Sequence, residues 1–195
     1  MQRTLPPRST PPSDQGVTTV AIIGAGPLGR WLALAAACAG FCVLLEDVMP
    51  QNLDHAQEYI RQQLSADALS REQGTQIAFV SSIEDAVRQA DLIIDCVPDE
   101  LESKLEILWL LDRMAPPRAV FATPTTRLSI SDLAACTYRA DKCIAIAATP
   151  AALSQLATAP GAEIPHRTAP ATAPETVALL TTFWQRLDFT PTFEA

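Results

Sequence analysis

Residues 24 to 29 read Gly-Ala-Gly-Pro-Leu-Gly, and an acid, Asp47, stands 21 residues beyond Gly26. Glycine, x, glycine, two x, glycine is a spacing suited to cradling a phosphate. The first glycine permits a tight turn and the second lets backbone approach a pyrophosphate. The third lets a helix pack closely on the preceding strand. The pyrophosphate then rests on the first amides of that helix, where Pro27 is tolerated because a first-turn amide has no intrahelical partner. Ala25 and Leu28, between the glycines, belong to the same loop. Asp47 falls where an acid meets the adenosine ribose hydroxyls of a dinucleotide. Val48, Met49 and Pro50 follow it, with no arginine for a 2′-phosphate. This combination predicts NAD rather than NADP.

A phosphate cradle functions only between a strand and a helix, and the flanking sequence supplies both. Short apolar runs predict strands over 17–23, 42–46, 77–80, 92–96, 119–122 and 143–147, several of them apolar throughout, as strands covered on both faces are. Helical stretches fall between them, over 28–39, 52–66 with Asn52 as a cap, 83–89, 101–114 and 131–135. The expected fold is therefore α/β, a single doubly wound, mostly parallel sheet of the Rossmann type with helices on both faces. Residues 148–174 are rich in Ala, Pro and Thr and read as a loop across one face. A last helix over 174–186 leads to an edge strand over 189–193. Residues 1–16, with four prolines and no apolar stretch, read as a disordered leader and not a signal peptide. Residues 17–195 form the dinucleotide-binding domain.

Composition narrows the partners. The net charge is −8, so a phosphate backbone is repelled and nucleic acid is excluded as a ligand. The longest apolar run is too short to span a bilayer, and the chain is expected to be cytoplasmic. Cys38, Cys42, Cys96, Cys136 and Cys143 form no CxxC pair. Most sit in apolar runs and read as small buried hydrophobes in a reducing compartment. His55 and His166 are the only histidines, and neither neighbours a cysteine, so no metal site is expected.

Three further segments succeed the glycine turn in order: VPDELESKLEILWLLDRMAPP (97–117), AVFATPTTRLSISDLAA (119–135) and PETVALLTTFWQRLDFTPTF (174–193). Together they resemble the NAD-binding domain of the 3-hydroxyacyl-CoA dehydrogenases over roughly residues 17 to 193. The resemblance implies NAD-dependent oxidation of a 3-hydroxyacyl thioester to its 3-keto form. It assigns contacts to the nicotinamide-side ribose to Asp99 and Lys104. Taken alone, Asp99 reads equally as an acid at the positive end of a helix. The family's substrate-contacting serine falls on Thr126, which keeps a hydroxyl; its neighbours Pro124 and Arg127 replace an asparagine and a serine.

The departure comes at the sixth strand, which in the family ends in the histidine that takes the hydroxyl proton. Here Ala147 or Ala148 stands in that place, and alanine cannot transfer a proton. The glutamate that orients the histidine falls on Thr158 or Ala159 by direct counting. With a short insertion it falls on Glu163. His166, three residues further, could replace the base, but its place in a proline-rich stretch predicts a surface histidine in a loop. In the family an all-helical domain follows, giving the dimer interface and a wall of the acyl-CoA cleft. The chain is expected to rely on a separate helical chain or on a second copy for that wall. Two functions stay open, a dehydrogenase with Thr126 and Glu163 as site residues, and a non-catalytic NAD(H)-binding module that regulates a partner.

Overall fold

The computed structural model describes residues 17–64, 76–149, 152–153 and 161–194. The leader, Thr158 and Ala159 lie outside the described residues. Eight strands form one sheet: β1 (Thr19–Ile23), β2 (Cys42–Glu46), β3 (Ile77–Val80), β4 (Leu92–Asp95), β5 (Val120–Pro124), β6 (Cys143–Ile146), β7 (Glu163–Thr168) and β8 (Thr190–Glu194). Their order is β3-β2-β1-β4-β5-β6-β7-β8. All neighbours run parallel except β6 and β7.

Among the described residues six α-helices cover the faces: α1 (Pro27–Cys38), α2 (Pro50–Leu64), α3 (Ile83–Val87), α4 (Leu101–Met114), α5 (Ile130–Ala134) and α6 (Pro174–Arg186). The alternation of strand side chains sorts them into two cores. Val20, Ile22, Ile94 and Ile146 meet Leu32, Ala56, Phe183 and Trp184 of α1, α2 and α6. Ala21, Ile23, Ile93 and Ala145 meet Val87, Leu108 and Leu133 of α3, α4 and α5. Strands buried on both faces account for the unbroken apolar runs in the sequence.

Helix boundaries follow local chemistry. Ser82 and Ser129 cap α3 and α5, each accepting from the amide three residues on, Asp85 and Asp132; such caps satisfy an otherwise orphan donor. The chain leaves α1 through Gly40 at φ +83°, a left-handed conformation natural to glycine. The Arg186 guanidinium closes that corner, stacking 3.7 Å over the Phe41 ring and donating to the Ala39 carbonyl.

Three expectations need correction. Part of the Ala/Pro/Thr-rich stretch is strand β7. Its Ile164 and His166 face the core while Glu163 and Pro165 are exposed, a period of two that the proline disguises. Pro165 has no amide for the ladder, but its carbonyl accepts from Ala147 at 2.7 Å. Asn52 is not a cap, because α2 starts at Pro50. Of the cysteines only Cys143 is buried; Cys38 and Cys42 are exposed, since they sit where α1 ends and β2 begins.

Candidate dinucleotide-binding site

Strands β1 and β4 are adjacent, and the chain leaves them toward opposite faces of the sheet. A crevice opens at such a switch point, at the carboxyl ends of the strands. It is a cleft of about 500 Å³. One flank is Gly24, Gly26, Pro27 and Leu28; the other includes Cys96, Val97, Pro98 and Asp99, with Pro124 beyond and Glu46, Asp47, Val48 and Asn52 at the near end.

The glycines divide the work as their spacing implies. Gly24 has φ +102°. A Cβ on Gly29 would lie 1.8 Å from the Gly24 carbonyl oxygen, so only glycine fits beneath the turn. A Cβ on Gly26 would meet nothing within 4 Å, at an ordinary φ of −63°. The fold does not require glycine there. The space above it lies at the amino end of α1, where an anion is favoured by helix amides and dipole.

Asp47 closes the near end of the cleft. It is 8% exposed. One carboxylate oxygen accepts from the Ala25 amide at 2.9 Å and the other from the Met49 amide at 2.9 Å, while the Asn52 amide group donates to both. Its direction is thereby set. At the other end Asp99 accepts from the Thr126 amide at 3.3 Å, so the structure brings these two predicted residues together. The second Asp99 oxygen, Oδ1, is buried without a partner. A buried acceptor left unpaired is costly, and this one belongs to a residue lining the cleft. The open cradle at Gly26 and this unpaired oxygen both fit a dinucleotide.

Lys104 is placed differently from the expectation of a ribose contact. It is 0% exposed, and its ammonium lies 2.5 Å from Asp95 Oδ1 and 3.4 Å from the Asp95 carbonyl. It does not line the cleft. Helical periodicity explains this: Lys104 shares the inward face of α4 with Ile107, Leu108 and Leu111. Burial holds the Asp95 carboxyl above its usual range, with Lys104 opposing. The Thr123 hydroxyl beside it also opposes that rise, so Asp95, Lys104 and Thr123 form one buried polar cluster.

His166 is neither a loop residue nor a base within reach of the cleft. It is 0% exposed on β7. Trp184 Nε1 donates to its Nε2 at 2.8 Å, and its Nδ1 donates to the Ile164 carbonyl at 2.9 Å. Burial holds it neutral, its pKa pushed down to about 4. Glu163 is exposed at the start of β7, opposite Thr190. Three residues apart on a strand, Glu163 and His166 point to opposite faces. No hydrogen bond among the described residues joins Glu163 to another predicted site residue. Glu46 also lines the cleft and was not singled out from the sequence; two adjacent acids stand at the end of β2, and only the second matches the expected spacing.

Among the described residues no helix is long and apolar enough to cross a membrane, and no group of three or more His, Cys, Asp or Glu is placed to hold a metal.

The switch-point cleft, its glycine turn and its flanking acids define a dinucleotide-binding domain of the Rossmann type. The sequence model of the 3-hydroxyacyl-CoA dehydrogenase NAD-binding domain matches residues 19–192. The chain belongs to that family, and NAD is the cofactor of the matched domain. A probable 3-hydroxybutyryl-CoA dehydrogenase of Bacillus subtilis is 29% identical over 136 residues, 66% of this chain and 47% of the relative. The chain thus spans about half the length of that relative. The crystal structure of 3-hydroxybutyryl-CoA dehydrogenase from Escherichia coli K12 superposes with a TM-score of 0.82 at 26% identity, covering 91% of this chain and 38% of the other. A diketoreductase structure gives the same TM-score and identity, covering 93% of this chain and 65% of the other.

Proposed function

We propose that the chain holds NAD(H) across the switch-point cleft. In this reading Gly24 to Gly29 cradle the pyrophosphate, Asp47 takes the adenosine ribose, and Asp99 with Thr126 faces the nicotinamide ribose. The observation that carries it is the open space over Gly26, where the fold needs no glycine but a pyrophosphate does. No lysine or arginine among the described residues lines the cleft, and a carboxylate beside a 2′-phosphate repels it. NADH should therefore bind at least about tenfold more tightly than NADPH. Isothermal titration with both checks this; equal or tighter NADPH binding would refute it.

The same proposal holds that the chain by itself is a binding module and not a competent dehydrogenase. Bound NAD supplies a hydride acceptor, but oxidising a 3-hydroxyacyl thioester also requires a group that takes the hydroxyl proton. Ala147 and Ala148 stand at the end of β6. The imidazole of His166 is sealed against Trp184, and Glu163 is exposed on the other face of β7.

One observation favours a second reading. The contact between Asp99 and Thr126 preserves an arrangement useful for a nicotinamide and a substrate. In that reading the chain is one part of a dehydrogenase, and a helical partner or a second copy brings the remaining wall for an acyl-CoA. Adding such a partner should then raise turnover without tightening NADH binding in proportion.

A further inference from the structure

Glu46 and Asp47 are adjacent in sequence and opposite in environment. The Asp47 carboxylate is oriented by backbone and Asn52 donors. Glu46 is 4% exposed and lines the same cleft, yet no donor among the described residues reaches its carboxylate. On β2 it stands in register with Ile23 of β1 and Val80 of β3. Ile83, Val97 and Ile107 line the cleft with it. Most of this side chain is withdrawn from water, and its carboxyl meets the cleft without a protein donor, which disfavours the charged form.

Each other part of a dinucleotide already has a place. The pyrophosphate suits the Gly26 cradle and the ribose suits Asp47, leaving an apolar slot with one polar group. A flat base with a hydrogen-bonding edge fits that slot. We propose that Glu46 recognises the adenine of the bound dinucleotide, hydrogen-bonding to the edge of the base while Asp47 holds its ribose. The proposal rests on the dinucleotide reading of the cleft.

The protonation state suits this role. Burial, and then the Asp47 charge, push the Glu46 carboxyl up to about 7. The neutral acid offers an O–H to a ring nitrogen and a carbonyl to the exocyclic amine. The titratable groups that line the cleft with it are Asp47, just after β2, and Cys96 and Asp99, after β4. None is a cation that would stabilise the carboxylate. Recognition is therefore complete below pH about 7 and is lost as pH rises through that value.

Titrations at pH about 6 and about 8.5 test this, with NADH and with the reduced hypoxanthine dinucleotide, whose N1–H the ionised carboxylate can still accept at the higher pH. For the native chain, NADH should bind about tenfold more weakly at the higher pH, the effect of one lost hydrogen bond to a buried group. Glu46→Gln, which keeps both a donor and an acceptor, should bind NADH tightly at both values. Glu46→Leu should bind about tenfold more weakly at both and should not distinguish the two bases. Leucine removes a buried carboxyl from apolar surroundings, so thermal melting should show it folded. NADH binding that is unchanged in Glu46→Leu at both pH values would overturn the role of Glu46 and leave the dinucleotide reading intact. Absence of NADH binding to the native chain would overturn both.

Discussion

Asp47 and His166 are both buried polar side chains near the carboxyl ends of strands, and they are satisfied in different ways. Asp47 is held from behind by two backbone amides and Asn52, and it lines an open cleft. His166 is enclosed, with one ring nitrogen on Trp184, the other on its own strand, and Phe193 packed at 5.0 Å. Around β1, β2 and β4 the polar groups that line the cleft are oriented toward it, and Asp99 keeps an unpaired oxygen. Around β6, β7 and β8 they serve the core. A group is available for chemistry when part of its bonding capacity remains unfilled, and in this chain that condition holds at the cofactor end of the sheet.

Lys104 gives the sharpest way to break the comparison. Lys104→Met leaves Asp95 buried without its counter-charge and should destabilise the fold by about 3–5 kcal/mol. Adding Asp95→Asn should return most of it. Denaturant unfolding of the single and double variants measures both. A loss below about 1 kcal/mol for the single variant would mean the pair is not the support of the cleft floor.

Acid tests the opposite end of the sheet. His166 is held neutral with a folded pKa of about 4 against an ordinary 6.5. The unfolded chain therefore binds the extra proton between those values, and stability falls as pH drops from 6.5 toward 4. The full contribution of His166 is about 3 kcal/mol. His166→Gln should flatten that part of the stability profile. An unchanged profile would show that His166 is not buried neutral.

The two glycines separate fold from function within one turn. Gly29→Ala drives a Cβ into the Gly24 carbonyl and should cost about 2–3 kcal/mol. Gly26→Ala meets open space and should change stability by less than about 0.5 kcal/mol, while weakening NADH binding at least about tenfold by filling the pyrophosphate cradle. Melting and titration of the same two variants separate the effects. Equal NADH affinity for Gly26→Ala would remove the main support for the proposed cradle.

The cofactor half of the sheet was legible because its sequence signals are local. A glycine spacing, an acid at a fixed distance and apolar runs covered on both faces each declare themselves within a few residues. Strands β2 and β3 and helices α4 and α6 have the bounds their sequence patterns imply. The far half depends on contacts distant in sequence. Strand β7 pairs antiparallel with β6 and parallel with β8, and the residue that fixes His166 is Trp184, 18 positions away. Prolines in that segment suppressed the strand pattern. Lys104 differs for another reason: its ribose contact was implied by resemblance alone, and the burial of its side chain against Asp95, at the end of β4, is a tertiary contact.

The central claim, cofactor binding without catalysis by this chain alone, is tested most directly by following NADH in the presence of acetoacetyl-CoA after its binding has been titrated. Saturable NADH binding is expected, with reduction at least a hundredfold slower than in a complete family member, because a positioned acid–base residue contributes roughly 10² to 10⁴ in rate. Turnover of several per second by the native chain, abolished by His166→Gln but not by Glu163→Gln, would contradict the account.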